Sequence, residues 1–337
     1  MSFNSFKTPM KNRIHSLQNE EFGESPGRKI VIPSSPSLER LGYGTGVSVY
    51  LMERGPISGG YRSPWAVKKV AKRYDNQENQ DFSKRLLEEA EILKKLEHPH
   101  IIGFRTLTKA LDGTWCMAME KAENSLMDLI EQRLDSQAGP FLPQQINRVG
   151  VDIAKALDYL HTEKLLMHGD MKSGNVLIFG DFRLAKLCDF GVTMTLNEAN
   201  GRVIPEQFYV GTQAWSAPEV IKLDETFEND EVVITCKADM FSYGLTIWEM
   251  FSLCVPHVDL LQDGEEEEEE LEEQTDESYA SAIDDFAYHE ALGTRPPLPD
   301  LPEDMDYSAA VAVFIATTEV DPDKRPLASE VMSIWNA

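Results

Sequence analysis

The sequence has few cysteines and no long hydrophobic run, and these two features exclude several classes of protein. Its 337 residues include four cysteines, which show no metal-ligand spacing. No apolar run approaches the ~18–20 residues that a membrane-spanning helix needs. The N-terminal stretch MSFNSFKTPMKNR also lacks the apolar core of a signal peptide. We therefore expect a reduced protein of the cytoplasm and nucleus, with no membrane partner.

Positive charge is scarce as well. The chain has 32 Lys and Arg against 57 Asp and Glu, which gives a net charge of −25. This balance argues against a nucleic-acid partner, because sequence-independent nucleic-acid binding relies on positive charge. Thirteen acidic residues and no Lys or Arg lie between Asp263 and Asp285. This acidic insert, residues 263–285, is typical of a solvated, disordered loop, and the alternative is a contact surface for a basic partner or substrate.

Residues 1–30 are polar and show no sustained hydrophobic period, which predicts a disordered regulatory tail. The tail contains Thr8-Pro9-Met10-Lys11 and Ser25-Pro26-Gly27-Arg28, each with a basic residue two positions after the proline. This pattern is typical of sites for proline-directed kinases. We expect Thr8 and Ser25 to be phosphorylated by an upstream cell-cycle kinase, and chance occurrence is the alternative.

The hydrophobic pattern changes along the rest of the chain. From about Val31, short runs rich in β-branched and aromatic residues predict strands at 47–53, 65–70, 101–108 and 114–119. A helix with apolar residues at helical spacing interrupts them, from Asp81 to Glu97. After Lys121 the pattern is mostly helical, with predicted helices at 143–162, at 238–253 and from about Ala328. A β-rich first third and a helical remainder predict an α+β fold of two lobes with a cleft between them.

A glycine-rich loop, LGYGTGVSVY, occupies residues 41–50 between strand-like flanks. Gly42 and Gly44 tolerate positive φ and let other groups approach the backbone closely. A dinucleotide-binding loop requires a helix directly after its glycines. Here Val47 begins another strand-like run, so we expect the loop to cap a β-hairpin.

Charged and amide side chains form the other candidate motifs. In the strand WAVKKV, Ala66 and Lys68 point to one face and Lys69 to the other, so only one of the two lysines can enter the cleft. Glu89 on the following helix is a candidate partner for Lys68, and an ordinary surface glutamate is the alternative. Three more motifs follow: HGDMKSGN with Asp170, Lys172 and Asn175; Asp189-Phe190-Gly191; and Ala217-Pro218-Glu219.

These motifs, in this order and on the elements that each requires, resemble those of eukaryotic protein kinases from about Pro33 to the C-terminus. The resemblance implies the bilobal protein kinase fold, with a small β-rich N-lobe that has one main helix and a larger, mainly helical C-lobe. It implies a kinase domain at 31–337, with the N-lobe at 31–120, the hinge at 120–125 and the C-lobe at 126–337. It also implies an enzyme that transfers the γ-phosphate of ATP to Ser or Thr hydroxyls of proteins. Similarity to mitogen-activated protein kinase kinases implies dual specificity, and we expect a link to mitosis.

The resemblance assigns a role to each motif, with ATP and Mg²⁺ as cofactors. Lys68, held by Glu89, contacts the α- and β-phosphates. Asp170 orients the substrate hydroxyl and accepts its proton, and Lys172 steadies the γ-phosphoryl group. The implied metal ligands are Asn175 and Asp189. The implied nucleotide-binding residues are Leu41, Gly42, Tyr43, Gly44, Thr45, Gly46, Val47, Ser48, Val49, Ala66, Lys68, Met119, Glu120, Ala122 and Leu177.

Three further residues are expected to be structural. Asp239 should bind the backbone of the catalytic loop, which we define as residues 168–175. Glu219 should form a buried ion pair with Arg325. Loss of one partner from such a pair is costly, because the other charge is left buried and uncompensated.

Two positions depart from the family pattern. Gly169 stands where many kinases have an arginine that holds a phosphate of the activation segment, here residues 189–219. Because that arginine performs no step of the reaction, we expect an active enzyme that does not sense activation-segment phosphorylation through the usual contact. Val47 stands where the third glycine usually sits, which stiffens the loop tip. The alternative is a pseudokinase scaffold that binds partners through the cleft and the acidic insert.

Two side chains leave other questions open. Cys188 directly precedes Asp189, and we expect a small buried hydrophobe; the alternative is a cleft-exposed thiol that covalent inhibitors can reach. The resemblance also implies that the C-terminus is a ligand for a PDZ domain. Such a ligand needs Ser or Thr at the third-last position, where this chain has Trp335, so we expect no PDZ partner.

Overall fold

The computed structural model describes residues 32, 39–44, 46–55, 62–71, 76–199, 201–204, 209–225, 233–261 and 286–336. The predicted phosphosites Thr8 and Ser25, the loop residue Thr45 and the acidic insert lie outside the described residues.

The elements of the first lobe are β1 Glu39–Gly44, β2 Val47–Met52, β3 Trp65–Val70, α1 Asn76–Leu93, β4 Phe104–Lys109 and β5 Trp115–Glu120. Its five strands form one antiparallel sheet in the order β1-β2-β3-β5-β4. Helix α1 begins before the predicted Asp81; the prediction missed its first turn, because that turn is polar and carries no hydrophobic period. The helix ends before the predicted Glu97, because the N–H groups of Lys95 and Leu96 donate to carbonyls three residues back, at 2.9 and 3.1 Å, and not four. The predicted strand at 101–108 begins instead at Phe104, since Ile101 forms only an isolated bridge to the second lobe.

The two faces of this sheet pack into different hydrophobic clusters, as the strand period of two requires. Ala66, Met117 and Met119 belong to the large core that continues into the second lobe. Val67 and Cys116, on neighbouring positions of the same strands, belong to a smaller cluster on the outer face. The face that points to the second lobe is therefore the face that carries Lys68.

The second lobe is mainly helical. Its elements are β6 Asn124–Ser125, α2 Leu126–Asp135, α3 Pro143–Asp158, β7 Leu166–Met167, β8 Val176–Phe179, β9 Leu184–Leu187, β10 Met194–Thr195, α4 Pro218–Glu225, α5 Lys237–Ser252, α6 Ser308–Thr317 and α7 Ala328–Trp335. The strands form two small sheets, in the orders β6-β8-β9 and β10-β7. Helix α5 is buried on all sides from Ala238 to Phe251, as expected for the central helix of a lobe. The predicted helix at 143–162 ends its regular part at Asp158 and continues as a wider π-helical turn over Tyr159–Lys164.

The predicted α+β architecture of two lobes is confirmed. Within the described ranges, no helix has the length and apolar character that crossing a membrane requires.

Candidate active site

The ammonium group of Lys68 lies between two carboxylates at the interface of the lobes. Its Nζ donates to both carboxylate oxygens of Glu89, at 3.0 and 2.8 Å, and to Oδ1 of Asp189 at 2.8 Å. Lys68 is 7% exposed and Glu89 4% exposed, so the pair is shielded from solvent. Strand β3, helix α1 and the segment after β9 thus bring together three residues that are distant in the chain.

The charges of this cluster depend on one another. Burial alone would lower the pKa of Lys68, but the carboxylates of Glu89 and Asp189 outweigh burial and raise it, so the ammonium form is strongly favoured. Burial raises the pKa of Glu89 to about 7 against the opposing effect of Lys68. The pKa of Asp189 is lowered, because Lys68 outweighs the cost of burial. Lys68 is therefore the cation that allows two carboxylates to lie close together.

Asp170 is held by groups on both sides of its carboxylate. Lys172 lies 3.0 Å from its Oδ2, and the amide nitrogen of Asn175 donates to the same oxygen at 2.9 Å. The hydroxyl and backbone N–H of Thr212 donate to Oδ1 at 2.6 and 3.1 Å. The ammonium of Lys172 also donates to the Thr212 hydroxyl at 2.6 Å. The catalytic loop and the activation segment are therefore joined at the Asp170 carboxylate.

The amide of Asn175 has a defined orientation. Its nitrogen donates to the backbone carbonyl of Asp170 at 2.6 Å as well as to the Asp170 side chain. The amide oxygen is then the group that Asn175 has left to offer a cation. Amide and carboxylate oxygens, such as those of Asn175 and Asp189, are the kind of ligand that Mg²⁺ prefers.

Asp239, on helix α5, holds the backbone of the catalytic loop through hydrogen bonds to its carboxylate. Its Oδ2 accepts hydrogen bonds from the backbone N–H of His168 at 2.7 Å and from the His161 ring at 2.8 Å. Its Oδ1 accepts from the backbone N–H of Gly169 at 2.9 Å. These hydrogen bonds outweigh burial and lower the pKa of Asp239, so the carboxylate is ionised. The expected anchoring residue thus contacts the two residues that precede Asp170.

Gly169 adopts a backbone conformation that favours glycine. Its φ is +80°, and a Cβ atom there would lie 2.9 Å from the carbonyl oxygen of Val192. Any side chain at this position would need the activation segment to shift. Where many kinases have an arginine, this chain therefore has a glycine on which the backbone of the activation segment packs closely.

Main-chain pairing ties the activation segment to the second lobe on two sides. Strand β10 pairs with β7, and the N–H of Leu196 donates to the carbonyl of Leu165 at 2.7 Å. Leu196 also forms a bridge with Val203, whose N–H donates to the carbonyl of Ile234 at 2.9 Å. The segment lies between the strand that precedes the catalytic loop and the residues that precede α5.

The predicted nucleotide-binding residues lie on adjacent strands. Ala66 pairs directly with Met119, and Val49 pairs with Lys68, so these side chains share one face of the sheet. The N–H of Glu120, the last residue of β5, donates to the carbonyl of Gly103 at 2.9 Å. The remaining described members lie in β1 (Leu41, Gly42, Tyr43 and Gly44), at the turn (Gly46), in β2 (Val47 and Ser48), between β5 and β6 (Ala122) and in β8 (Leu177).

Glu219 and Arg325 form a buried bidentate ion pair. Nη1 and Nη2 of Arg325 lie 2.7 and 2.8 Å from the two carboxylate oxygens of Glu219. The guanidinium also donates to the backbone carbonyls of Glu319, Lys237 and Val320. The pair connects the end of the activation segment to the segment before α7.

Sequence reasoning missed the role of Glu249 on α5. This carboxylate is 2% exposed and accepts hydrogen bonds from the Ser173 N–H at 3.2 Å, the Ser173 hydroxyl at 2.5 Å and the Trp215 ring N–H at 2.8 Å. Burial raises its pKa to about 7, although these hydrogen bonds oppose the shift. The signal in the sequence was one acidic residue within the apolar run YGLTIWEMF.

The sequence is similar to those of known proteins over most of its length. Residues 36–335 match the family model described as the protein kinase domain, and the chain belongs to this family. It is 43% identical to human lymphokine-activated killer T-cell-originated protein kinase over 97% of this chain and 96% of that protein. It is 31% identical to rat mitogen-activated protein kinase kinase kinase 12 over 73% of this chain, and 33% identical to the zak-1 kinase of that class from Caenorhabditis elegans over 52% of this chain. The chain spans 23% of the length of each of these two relatives.

Proposed function

We propose that the chain transfers the γ-phosphate of ATP to Ser and Thr hydroxyls of protein substrates. The observation that carries this proposal is the adjacency of two clusters, Lys68 with Asp189 and Asp170 with Lys172 and Asn175. The N–H of Cys188, next to Asp189, donates to the carbonyl of Asn175 at 2.9 Å and joins them. Phosphoryl transfer needs positioning and charge neutralisation more than covalent chemistry from the protein. One carboxylate placed to receive a proton, two ammonium groups and two metal-ligating side chains supply these requirements.

The residues present fit Mg²⁺ and a triphosphate. Asp189 and the amide oxygen of Asn175 would hold the metal, which supplies positive charge to the phosphate oxygens when bound. Lys68 would bind the phosphates, since it is a cation fixed by two carboxylates. The glycine-rich hairpin would cover them with backbone, and the Glu120 carbonyl would accept from the adenine edge.

Asp170 is the group that would orient the acceptor hydroxyl and take its proton. Lys172 and Asn175 contact its Oδ2, while Thr212 contacts its Oδ1. These contacts fix the plane of the carboxylate before a substrate arrives. A positioned base of this kind contributes about 10²–10⁴ to the rate.

A pseudokinase scaffold is the second candidate function. Scaffolds of this type have lost the strand lysine, the metal-binding aspartate or the catalytic aspartate. Here Lys68, Asp189 and Asp170 are present and hydrogen-bonded, which favours the enzyme. Binding of partners through the acidic insert is compatible with either function.

We propose further that the enzyme closes its activation segment without a phosphate. Three contacts support this: the Thr212–Asp170 hydrogen bonds, the close packing of Gly169 against Val192, and the main-chain pairing of Val203. Together these contacts hold the activation segment against the catalytic loop, as a phosphate–arginine contact does in many other kinases.

Substrate and partner assignments are further proposals. The acidic insert supports a preference for basic substrates that weakens with salt. Tyrosine as a second acceptor, a role in mitosis, action in the cytoplasm and nucleus, and control by a cell-cycle kinase at Thr8 and Ser25 stay predictions from the sequence.

Helix α7 contains Trp335, which lies at the position where a PDZ-domain ligand would need Ser or Thr. Trp335 is buried at the end of α7, where its ring N–H donates to the Tyr243 hydroxyl at 2.8 Å. A Cβ atom at Gly150 would lie 2.1 Å from the Trp335 ring, so helix α3 and this ring are closely packed. A PDZ ligand binds as an added β-strand, which requires an extended, accessible segment. We therefore propose that Trp335 anchors the fold and does not bind a PDZ domain.

Transfer of labelled γ-phosphate to peptide libraries with fixed Ser, Thr or Tyr acceptors tests the proposed function. The proposal predicts labelling of Ser and Thr peptides that requires Mg²⁺ and is lost in Lys68→Met. Binding of Mg²⁺–ATP by wild-type protein without transfer to any library would favour the scaffold.

A further inference from the structure

Gly46 forms the turn between β1 and β2 and is buried. Its φ is +75°, a conformation that residues with a Cβ rarely adopt. Its carbonyl accepts a hydrogen bond of 2.9 Å from the N–H of Ala71, just after β3. The tip of the glycine-rich hairpin is therefore fixed to the strand that carries Lys68.

The ring of Phe82 lies directly against this glycine. A Cβ atom at position 46 would lie 2.4 Å from Cδ1 and Cε1 of Phe82 and 2.5 Å from its Cδ2. Carbon atoms do not approach this closely without movement. Both the backbone torsion and the aromatic ring therefore require glycine at this position.

Phe82 belongs to the helix face that also carries Glu89. Phe82, Leu86 and Glu89 lie four and then three positions apart, which places them on one face of α1. Leu86 is buried in the large core, and Glu89 pairs with Lys68 at 2.8 Å. One helix face thus contacts the hairpin tip at one end and the phosphate-binding lysine at the other.

We propose that Phe82 is a positioning residue for the phosphate-binding hairpin and couples its tip to the Lys68–Glu89 pair. This inference rests on the proposed function. The hairpin takes its position over the phosphates from an aromatic side chain of α1, and Gly46 is the residue that admits the ring. A displacement of α1 then moves the hairpin and the lysine together, so nucleotide binding and helix position are coupled.

Calorimetric titration of Mg²⁺–ADP measures the contact. Phe82→Ala is expected to raise the Kd for Mg²⁺–ADP about three- to tenfold, which is the loss of affinity that corresponds to one aromatic contact. The KM for a peptide substrate should not change, because Phe82 belongs to α1 of the first lobe and the proposed acceptor site around Asp170 belongs to the second. Ile92→Ala is the matched control, since it removes a half-buried apolar side chain from the same helix away from the hairpin. It should leave Kd near the wild-type value.

A double-mutant cycle tests the packing itself. Gly46→Ala introduces the steric clash with Phe82 and the torsional cost at once. In the Gly46→Ala/Phe82→Ala protein the clash is gone, so we expect tighter Mg²⁺–ADP binding than in Gly46→Ala alone. Strictly additive effects would overturn the proposal.

Hydrogen exchange without nucleotide gives an independent readout. Phe82→Ala is expected to accelerate exchange of the Ala71 amide, whose hydrogen bond ends on Gly46, while Ile92→Ala is not. Unchanged Ala71 exchange together with an unchanged Kd in Phe82→Ala would overturn the inference. If wild-type protein binds no nucleotide, the proposed function fails, and the exchange experiment still decides whether Phe82 supports the hairpin.

Discussion

The Thr212 hydroxyl donates a 2.6 Å hydrogen bond to the Asp170 carboxylate and accepts one of the same length from the Lys172 ammonium. One residue of the activation segment thus completes the catalytic loop. Thr212→Ala should lower kcat about ten- to hundredfold, because a hydrogen bond to a charged group is lost at the reacting centre. Thr212→Ser should restore most of the rate, since it keeps the hydroxyl. Steady-state kinetics on one peptide measures both, and equal rates for the two variants would contradict this role.

Thr193 and Thr195 are expected to behave differently from Thr212. The Thr193 hydroxyl is buried and has no hydrogen-bond partner among the described residues, and Thr195 lies in strand β10. Thr193→Ala and Thr195→Ala should each retain near wild-type activity if closure needs no phosphate. Loss of activity in either variant that a phosphomimetic residue restores would argue for a phosphate switch.

The Glu219–Arg325 pair should contribute to stability and not to nucleotide binding. Glu219→Gln is expected to cost about 3–5 kcal/mol, because it leaves a buried guanidinium without its counter-ion. The change should appear as a lower urea midpoint with an unchanged KM for ATP in the folded fraction. Glu319→Gln is the control, since it breaks a partly exposed pair with Arg295, a contact worth about 0–1 kcal/mol. Similar midpoints for the two variants would contradict the assignment.

Glu249 predicts a pH dependence of stability. Burial raises its pKa from 4.5 to about 7 in the folded protein. Between these two values the folded state retains a proton that the unfolded chain has released, so the stability from this group falls as pH rises through that window. The loss between pH 5.5 and 7.5 is about 2 kcal/mol.

Glu249→Gln should remove that share of the pH dependence, because a neutral amide does not titrate. Urea unfolding at pH 5.5 and 7.5 measures the difference. The exposed Glu290→Gln variant serves as the control and should keep the wild-type slope. A Glu249→Gln protein with the full wild-type slope would show that this carboxyl does not titrate in the window.

Cys188 should react slowly despite its position beside Asp189. Burial raises the pKa of its thiol, and the neighbouring Asp189 carboxylate adds to the shift, so the reactive thiolate is disfavoured at neutral pH. We expect iodoacetamide to label Cys188 far more slowly in folded protein than in urea, as read by peptide mass spectrometry. Rapid labelling that ATP blocks would favour the alternative of a cleft-exposed thiol.

Local sequence patterns predicted strands β2 to β5 and helices α1, α3, α5 and α7, because strand and helix periods are properties of neighbouring residues. They did not predict helices α2, α4 and α6. Strand alternation indicated that only one of Lys68 and Lys69 enters the cleft, and family resemblance chose Lys68. Lys69 pairs with Asp112 on the outer face at 2.7 Å. The choice of Glu89 over Glu88 and Glu91 depended on family resemblance, because helical spacing alone does not separate neighbouring glutamates.

Contacts between distant segments were not predictable in the same way. The packing of Phe82 on Gly46 and the pairing of Val203 with Ile234 depend on how helices and strands meet, which no short pattern encodes. The wider turn at Tyr159–Lys164 was missed for a related reason, since its apolar residues continue the helical pattern of α3.

The decisive measurement is the rate of phosphate transfer by unphosphorylated protein. Protein treated with phosphatase, and shown by intact mass to carry no phosphate, is assayed with Mg²⁺–ATP and a Ser/Thr peptide beside Asp170→Asn. We expect sustained turnover by the wild-type chain and a rate about 10²–10⁴ lower for the variant. Absence of transfer by the wild-type chain, or equal rates for the two proteins, would contradict this expectation.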